Sequence, residues 1–376
     1  MVAFRSNRLV EIPEDSLPPR LRWLILTNNR IRALPRSIGR CSRLQKCMLA
    51  GNELRRLPEE MAACRKLGLL RLSANYLEEL PAWLFDLPEL AFLSFAGNPC
   101  CSSPATSKDA RDTTPSGFLP EVSWADLDVH DLLGEGASGI ISKGSWNSID
   151  QAQEQVAIKL FKGEVTSDGT PADEMGACMT AGSHANLIDP LGKITDHPTR
   201  EGLVMQLIPT WYKTLGLPPS LQSCTRDCFS HEITLTTPQG LKILRGVASA
   251  AGHLHDRGVA HGDLYAHNIL YNEDGHALLG DLGAASIYGN TDHKKVERLE
   301  VLAFAHLIED VWRVTKPKFE EEELRVAMML AALHRQCSNP TSHQRPNFSE
   351  ISRQLSLMEQ QLAAYNGVKS EPPMLR

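Results

Sequence analysis

An aspartate and an asparagine, Asp263 and Asn268, stand five positions apart in the run His261–Leu270, HGDLYAHNIL, just after an apolar, helix-like stretch from Leu241 to Asp256. A carboxylate can orient an acceptor hydroxyl and an amide oxygen can hold a divalent cation, so this spacing suits a phosphate-transfer loop. Upstream, Gly134, Gly136 and Gly139 are spaced so that backbone amides can approach phosphate closely, a pattern that alone fits a dinucleotide fold equally well. The discriminating residue is Lys159, which ends the alternating strand Val156-Ala157-Ile158-Lys159 twenty positions past Gly139. A dinucleotide fold would place a ribose-binding acid there; a lysine suits a triphosphate.

Other elements must bring these residues together. Leu127, Val129 and Leu132 alternate as a strand leading into the glycines, and Leu203-Val204-Met205-Gln206-Leu207-Ile208 reads as a further strand. Asp281-Leu282-Gly283 follows a short Leu-Leu strand start beyond the loop. In this order and at these spacings, the stretch from about 122 to 362 resembles the protein kinase superfamily. The resemblance implies that Gly134, Gly136 and Gly139 cover the phosphates of ATP, that Ile141 and Ala157 pack on adenine, and that Lys159 binds the α and β phosphates. It implies Glu174 as the partner of Lys159, with Asp173 as runner-up. It also places Met205 behind adenine, the backbones of Gln206 and Ile208 on its edge, Asp263 as the catalytic base, and Asn268 and Asp281 as magnesium ligands.

Several positions depart from that pattern. Gly262 stands where most protein kinases have the Arg that pairs with an activation-loop phosphate, so control by that phosphate is not expected. Tyr265 and His267 occupy the loop where serine/threonine kinases place a Lys and tyrosine kinases an Arg. Leu282 replaces the usual Phe, and no Ala-Pro-Glu follows Gly283; the segment Ala284–Leu299 leads directly into an apolar helix. Arg345-Pro346 resembles the last helical subdomain, and without its usual Glu partner Arg345 is expected to pair with Glu297 or Glu300. Small-molecule kinases of the aminoglycoside and choline type share His-Gly-Asp and the missing Ala-Pro-Glu, which makes them the second reading. A pseudokinase scaffold is the third, although neither the Lys, the base nor a metal ligand is lost.

The first hundred residues repeat. Asn7, Asn29, Asn52, Asn75 and Asn98 are separated by 22, 23, 23 and 23 residues, and each full unit carries the same leucine frame, as in Leu21, Leu24 and Leu26 before Asn29. Ile12-Pro13, Leu34-Pro35, Leu57-Pro58 and Leu80-Pro81 open the return segments. This resembles the intracellular, Leu-Pro type of leucine-rich repeat, whose units bury their faces by stacking and whose strands form one concave wall. Outward strand positions are Trp23, Ile25, Lys46, Met48, Leu69, Arg71, Phe92 and Ser94, more apolar than solvation requires; they are expected to contact either another protein or this chain's own second domain. Val2 and Phe4 already occupy strand positions, so either further repeats precede them or that edge is covered.

Composition narrows the classes. The 376 residues are 42% hydrophobic and 22% charged, an ordinary globular balance long enough for two cores. No run of about 18 apolar residues and no signal-like start is present, so a cytoplasmic protein without membrane or nucleic-acid partners is expected. The nine cysteines lack paired zinc spacing and read as buried thiols. Residues 1–101 carry 15 Lys+Arg against 10 Asp+Glu and the remainder 24 against 35, so a basic first part precedes an acidic second. The expected fold is an α/β solenoid of leucine-rich repeats (1–101), a polar linker (102–120), an α+β two-lobed protein kinase-like domain (121–365) and a disordered tail (366–376). With the kinase resemblance, the whole reads as an ATP- and Mg2+-dependent protein kinase, Ser/Thr favoured over Tyr as acceptor, of the bacterial leucine-rich-repeat type.

Overall fold

The computed structural model describes residues 1–101, 119–136, 138–147, 153–162, 165–288, 293–317 and 320–370. Most of the expected linker, 102–118, lies outside them.

The N-terminal repeats build a parallel five-stranded sheet in chain order: β1 (Val2–Ala3), β2 (Trp23–Ile25), β3 (Lys46–Met48), β4 (Leu69–Arg71) and β5 (Phe92–Ser94). Each period contributes one short strand, and the full units Leu34-Pro35, Leu57-Pro58 and Leu80-Pro81 turn into 3-10 helices whose N-cap is the proline. The repeating Asn explains the period. Asn52 Nδ2 donates to Leu49 O and Leu26 O, both at 2.9 Å, while its Oδ1 accepts from Ile31 N at 3.1 Å. Asn75 and Asn98 make the same three-way tie one and two units on. One side chain thus satisfies backbone groups that the bend away from the strand would otherwise leave buried and unpaired. The Leu of each unit fill the space between strands and return segments with no exposure at Leu24, Leu44, Leu49, Leu67 or Leu70.

The second part has two lobes. Six strands, β6 (Glu121–Ser123), β7 (Leu127–Glu135), β8 (Gly139–Trp146), β9 (Glu154–Phe161), β10 (Pro190–Thr195) and β11 (Gly202–Gln206), form a sheet in the order β6-β10-β11-β9-β8-β7, with helix α1 (Pro171–Ala181) against it. α1 starts where Thr170 and Asp173 form a reciprocal capping box with Pro171 in the first turn.

The larger lobe comprises β12 (Lys213–Thr214), α2 (Thr237–Asp256), β13 (Val259–Ala260), β14 (Ile269–Tyr271), β15 (Ala277–Leu279), β16 (Ser286–Ile287), α3 (His293–Val314), α4 (Glu321–Cys337) and α5 (Phe348–Ser370). Leu241, Leu244, Val247, Ala248, Ala251 and Leu254 recur at helical spacing along α2 and are all buried against this lobe. Each large aliphatic among them contributes about 2 kcal/mol by leaving water. α5 continues to Ser370, past the boundary at 365 expected from the sequence.

Repeats and large lobe share their apolar interior. Leu69, Ala91 and Phe92 belong to the core of the large lobe, while Ala260, Tyr288, Val296 and Leu299 belong to the core of the repeats. The outward-facing strand residues of β4 and β5 are therefore buried: Leu69, Arg71, Phe92 and Ser94 are each no more than 3% exposed. Trp23, Ile25, Lys46 and Met48, nearer the β1 edge of the sheet, are only half-buried.

Candidate phosphotransfer site

β9 alternates. Val156 and Ile158 pack into the far side of the sheet with Val122, Ile194 and Val204, so Ala157 and Lys159 face the cleft between the lobes. Lys159 Nζ is ion-paired with Glu174 Oε1 of α1, both residues being buried. Burial works against the lysine's charge, but Glu174 and then Asp281 outweigh it, and its pKa is raised. Asp173, the runner-up, is spent on capping α1.

The loop His261–Leu270 is held from three sides. His261 Nδ1 accepts from Asp263 N at 3.2 Å, which leaves Nε2 to donate to Gly280 O at 2.9 Å. Asn268 Nδ2 donates to Asp263 O at 2.9 Å and to Asp263 Oδ2 at 3.1 Å, and Gly280 N donates to Asn268 O at 2.9 Å. Asp263, Asn268 and the start of Asp281-Leu-Gly are thus tied into one network. Asp281 itself adopts a left-handed backbone (φ 56°) with Oδ1 accepting from Gly283 N at 3.1 Å. A non-glycine residue held there stores about 1–3 kcal/mol of strain, which points to a positional requirement on its carboxylate.

The third support is Glu300 on α3. Its Oε1 accepts from Gly262 N at 2.6 Å and its Oε2 from His261 N at 3.2 Å and His255 Nε2 at 2.8 Å. Burial would raise its pKa, but the hydrogen bond and charge of His255 with the loop amides hold it below the ordinary carboxylate value. The expected partnership of Glu297 or Glu300 with Arg345 is not formed. Arg345 donates to the carbonyls of Asn339, Arg298 and Pro88, and Glu297 caps α5 at Phe348 N. Both acids accept from backbone amides instead.

A cavity of about 460 Å³ lies between the lobes. Among its walls are Gly136, Gly139, Ile141, Ala157, Lys159, Glu174, Met205, Gln206, Ile208 and Asp281, with Leu270 and Leu279 on the floor. Gly134 lies beside this lining, while Asp263 and Asn268 lie outside it. A Cβ on Gly139 would come within 2.7 Å of Leu160 O, so that glycine is required by the sheet itself. Gly134 and Gly136 are different: a Cβ on either would meet nothing within 4 Å, and neither has a positive φ. Protein packing does not demand these two glycines; the close approach of a ligand would. Gln206 N donates to Asp189 O at 2.9 Å, so the expected contact of its backbone with a ligand edge narrows to its carbonyl. Cys178 also lines the cavity, and burial pushes its thiol up to about 12, which keeps it protonated.

The structure adds residues that the sequence pattern did not mark as part of the site. Arg71, at the end of β4, reaches the loop: its Nη2 pairs with Asp263 Oδ1, its Nη1 donates to Gly262 O at 2.8 Å, and its Nε lies 2.8 Å from Asp168 Oδ1, an ion pair outside hydrogen-bond alignment. Burial opposes its charge, but Asp263 and then Asp168 outweigh that, and its pKa is raised. Phe92 on β5 stacks on Tyr265 with ring centroids 3.9 Å apart and planes within 10°. Gly262 has φ +73°, and a Cβ there would come 2.5 Å from Ala284 O and 2.8 Å from Leu93 O. The departures at Gly262 and Tyr265 were the visible signal: both positions are shaped by the strand that covers them.

Comparison with known proteins agrees with this architecture. Residues 127–308 match the protein tyrosine and serine/threonine kinase family model. The chain is 26% identical over 237 residues to human kinase suppressor of Ras 2, covering 58% of this chain and 22% of that protein. It is 27% identical over 188 residues to the zebrafish angiopoietin-1 receptor (48% and 17%), and 31% identical over 163 residues to the L-type lectin-domain containing receptor kinase S.6 of Arabidopsis thaliana (42% and 22%). The chain thus spans about a fifth of the length of these relatives. The matched residues hold the glycine strand, the Lys159–Glu174 pair, the loop with Asp263 and Asn268, and the cavity they enclose, and they form a protein kinase domain.

Proposed function

We propose that this chain is an ATP-dependent protein kinase that moves the γ-phosphate of ATP to a protein hydroxyl, Ser or Thr in preference to Tyr, with leucine-rich repeats that recognise or regulate. The observation that carries the reading is the buried Lys159–Glu174 pair at the wall of a cavity whose rim glycines, Gly134 and Gly136, answer to no protein contact. Lys159 would hold the phosphates and Met205, Ala157 and Ile141 the base. Asn268 and Asp281 offer hard oxygen ligands of the kind magnesium takes alongside phosphate and water, and the ion would neutralise charge developing on the transferred group.

Asp263 orients the acceptor. Each of its oxygens receives one donor, from Arg71 and from Asn268, and a carboxylate has lone pairs to spare for an incoming hydroxyl. In-line transfer then depends on positioning and on fixed charge more than on covalent chemistry. No described helix is long and apolar enough to cross a membrane.

The test is transfer of label from γ-labelled ATP with Mg2+ to the chain itself and to a Ser/Thr/Tyr peptide library. Asp281→Ala should lose about 100-fold or more in rate with the fold intact, and Lys159→Ala should lose turnover more than nucleotide affinity. Nucleotide binding without any Asp281-dependent transfer would refute the kinase reading and leave a binding scaffold.

A further inference from the structure

We infer that Arg71, contributed by the repeats, is a positioning residue of the phosphotransfer site: it clamps the catalytic loop to the segment that carries Glu174. This rests on the kinase reading above. Three observations support it.

The loop has no strong cation of its own. Between His261 and Leu270 the charged or titratable side chains are His261, Asp263, Tyr265 and His267, and Arg71 is the only Lys or Arg hydrogen-bonded to Asp263 among the described residues. With one oxygen on Arg71 and the other on Asn268, the Asp263 carboxylate has a fixed plane. An arginine fork sets such a plane in a way a point charge does not.

The same guanidinium reaches the other side of the cleft. Asp168 lies in a tight turn in which Asp168 N and Gly169 N both donate to Thr166 Oγ1 at 3.1 Å. The Thr170–Asp173 capping box joins that turn to α1. A single arginine therefore links Asp263 through a short, internally bonded path to the helix that presents Glu174 to Lys159. If α1 shifted, Asp168 would have to leave a charge that is fully buried, which is costly.

The contact is built in. Gly262 is the residue type that lets β5 approach, Tyr265 is stacked under Phe92, and each of the two apolar cores draws residues from both repeats and large lobe. An arginine delivered by an interface of this kind is part of the resting architecture of the site. The competing view, in which Arg71 is a plug that withholds Asp263 from substrate, predicts the opposite response to its removal.

The experiment measures kcat and KM for ATP in the full chain with Mg2+ and the peptide library, beside thermal unfolding, for wild type, Arg71→Met, Arg71→Lys and Asp168→Asn. Methionine conserves bulk and removes charge; lysine keeps charge but cannot span both carboxylates. The expectation is a fall in kcat of about 100-fold for Arg71→Met, with KM for ATP and the unfolding midpoint little changed, and an intermediate value for Arg71→Lys. Asp168→Asn cuts only the arm to α1 and should lower kcat less; it carries the test if Arg71→Met does not fold. Activity equal to wild type in these variants, or above it as a plug would give, overturns the inference, as does a loss that only follows thermal stability or ATP affinity. A wild type that binds ATP without transferring phosphate overturns the kinase reading and this inference together, and the wild-type arm alone reveals that case.

Discussion

Glu300 shows how a single buried carboxylate can shape a loop ten residues long. It receives the amides of His261 and Gly262 and the ring of His255, and its pKa is lowered in the folded state. A carboxylate depressed on folding stabilises above its unfolded pKa, near 4.3, and that contribution disappears as pH falls through the folded value. Glu300→Gln should therefore cost about 2 kcal/mol at pH 7, and the gap from wild type in denaturant unfolding should close as the pH is lowered below about 4. A gap that stays constant to pH 3 would mean that the charge is irrelevant. Gly262 offers a second test at this scale. Ala at that position has to accept φ +73° and two carbonyl oxygens inside normal contact, so Gly262→Ala should destabilise by about 3 kcal/mol or more and depress transfer with it. Wild-type stability in that variant would show that β5 can back away from the loop.

At the scale of elements, the site is legible wherever one segment supplies both ends of a constraint. Lys159 on an alternating strand, Glu174 in the first turn of a helix, and Asp263 five residues before Asn268 are local patterns, and the structure places them around one cleft. Arg71 and Asp168 carry no such pattern. The partner of Arg71 is 192 residues away, and on a repeat strand it reads as one more outward-facing residue. Arg345 misleads for the same reason: its buried carbonyl partners at Asn339, Arg298 and Pro88 leave no trace in side-chain type, whereas Glu297 and Glu300 stood out as acids. The Asn ladder is the opposite case, since its period in the sequence is its geometry. Asn52→Ala removes three buried hydrogen bonds and should lower the unfolding free energy by about 3 kcal/mol, while Arg32→Ala, breaking an exposed pair with Glu53, should change it by no more than about 0.5 kcal/mol. Equal effects in chemical denaturation would remove the ladder as a source of stability.

Across the whole molecule, repeats and kinase domain are one folded body whose outer segments read as two. The split was clear from periodicity and from the basic first part and acidic remainder; their junction was not, because the residues that join them, such as Ala260, Tyr288, Val296 and Leu299, look like any core residues of the second part. Removing 1–101 would expose these side chains together with Tyr265 and leave Asp263 without its guanidinium. The shortened chain is expected to aggregate or to bind an apolar dye, and a well-behaved, fully active monomer in size-exclusion and transfer assays would contradict that.

Arg71 reaches the loop from the fourth of five parallel strands, each about 4.8 Å from the next. Gain or loss of a whole unit on the β1 side leaves the guanidinium where it is. The same change between β4 and β5 would carry it one strand spacing away from both carboxylates. Unequal recombination within the array is therefore expected to be tolerated better on the β1 side than between β4 and β5, where the two units against the His261–Leu270 loop should keep a fixed count and order.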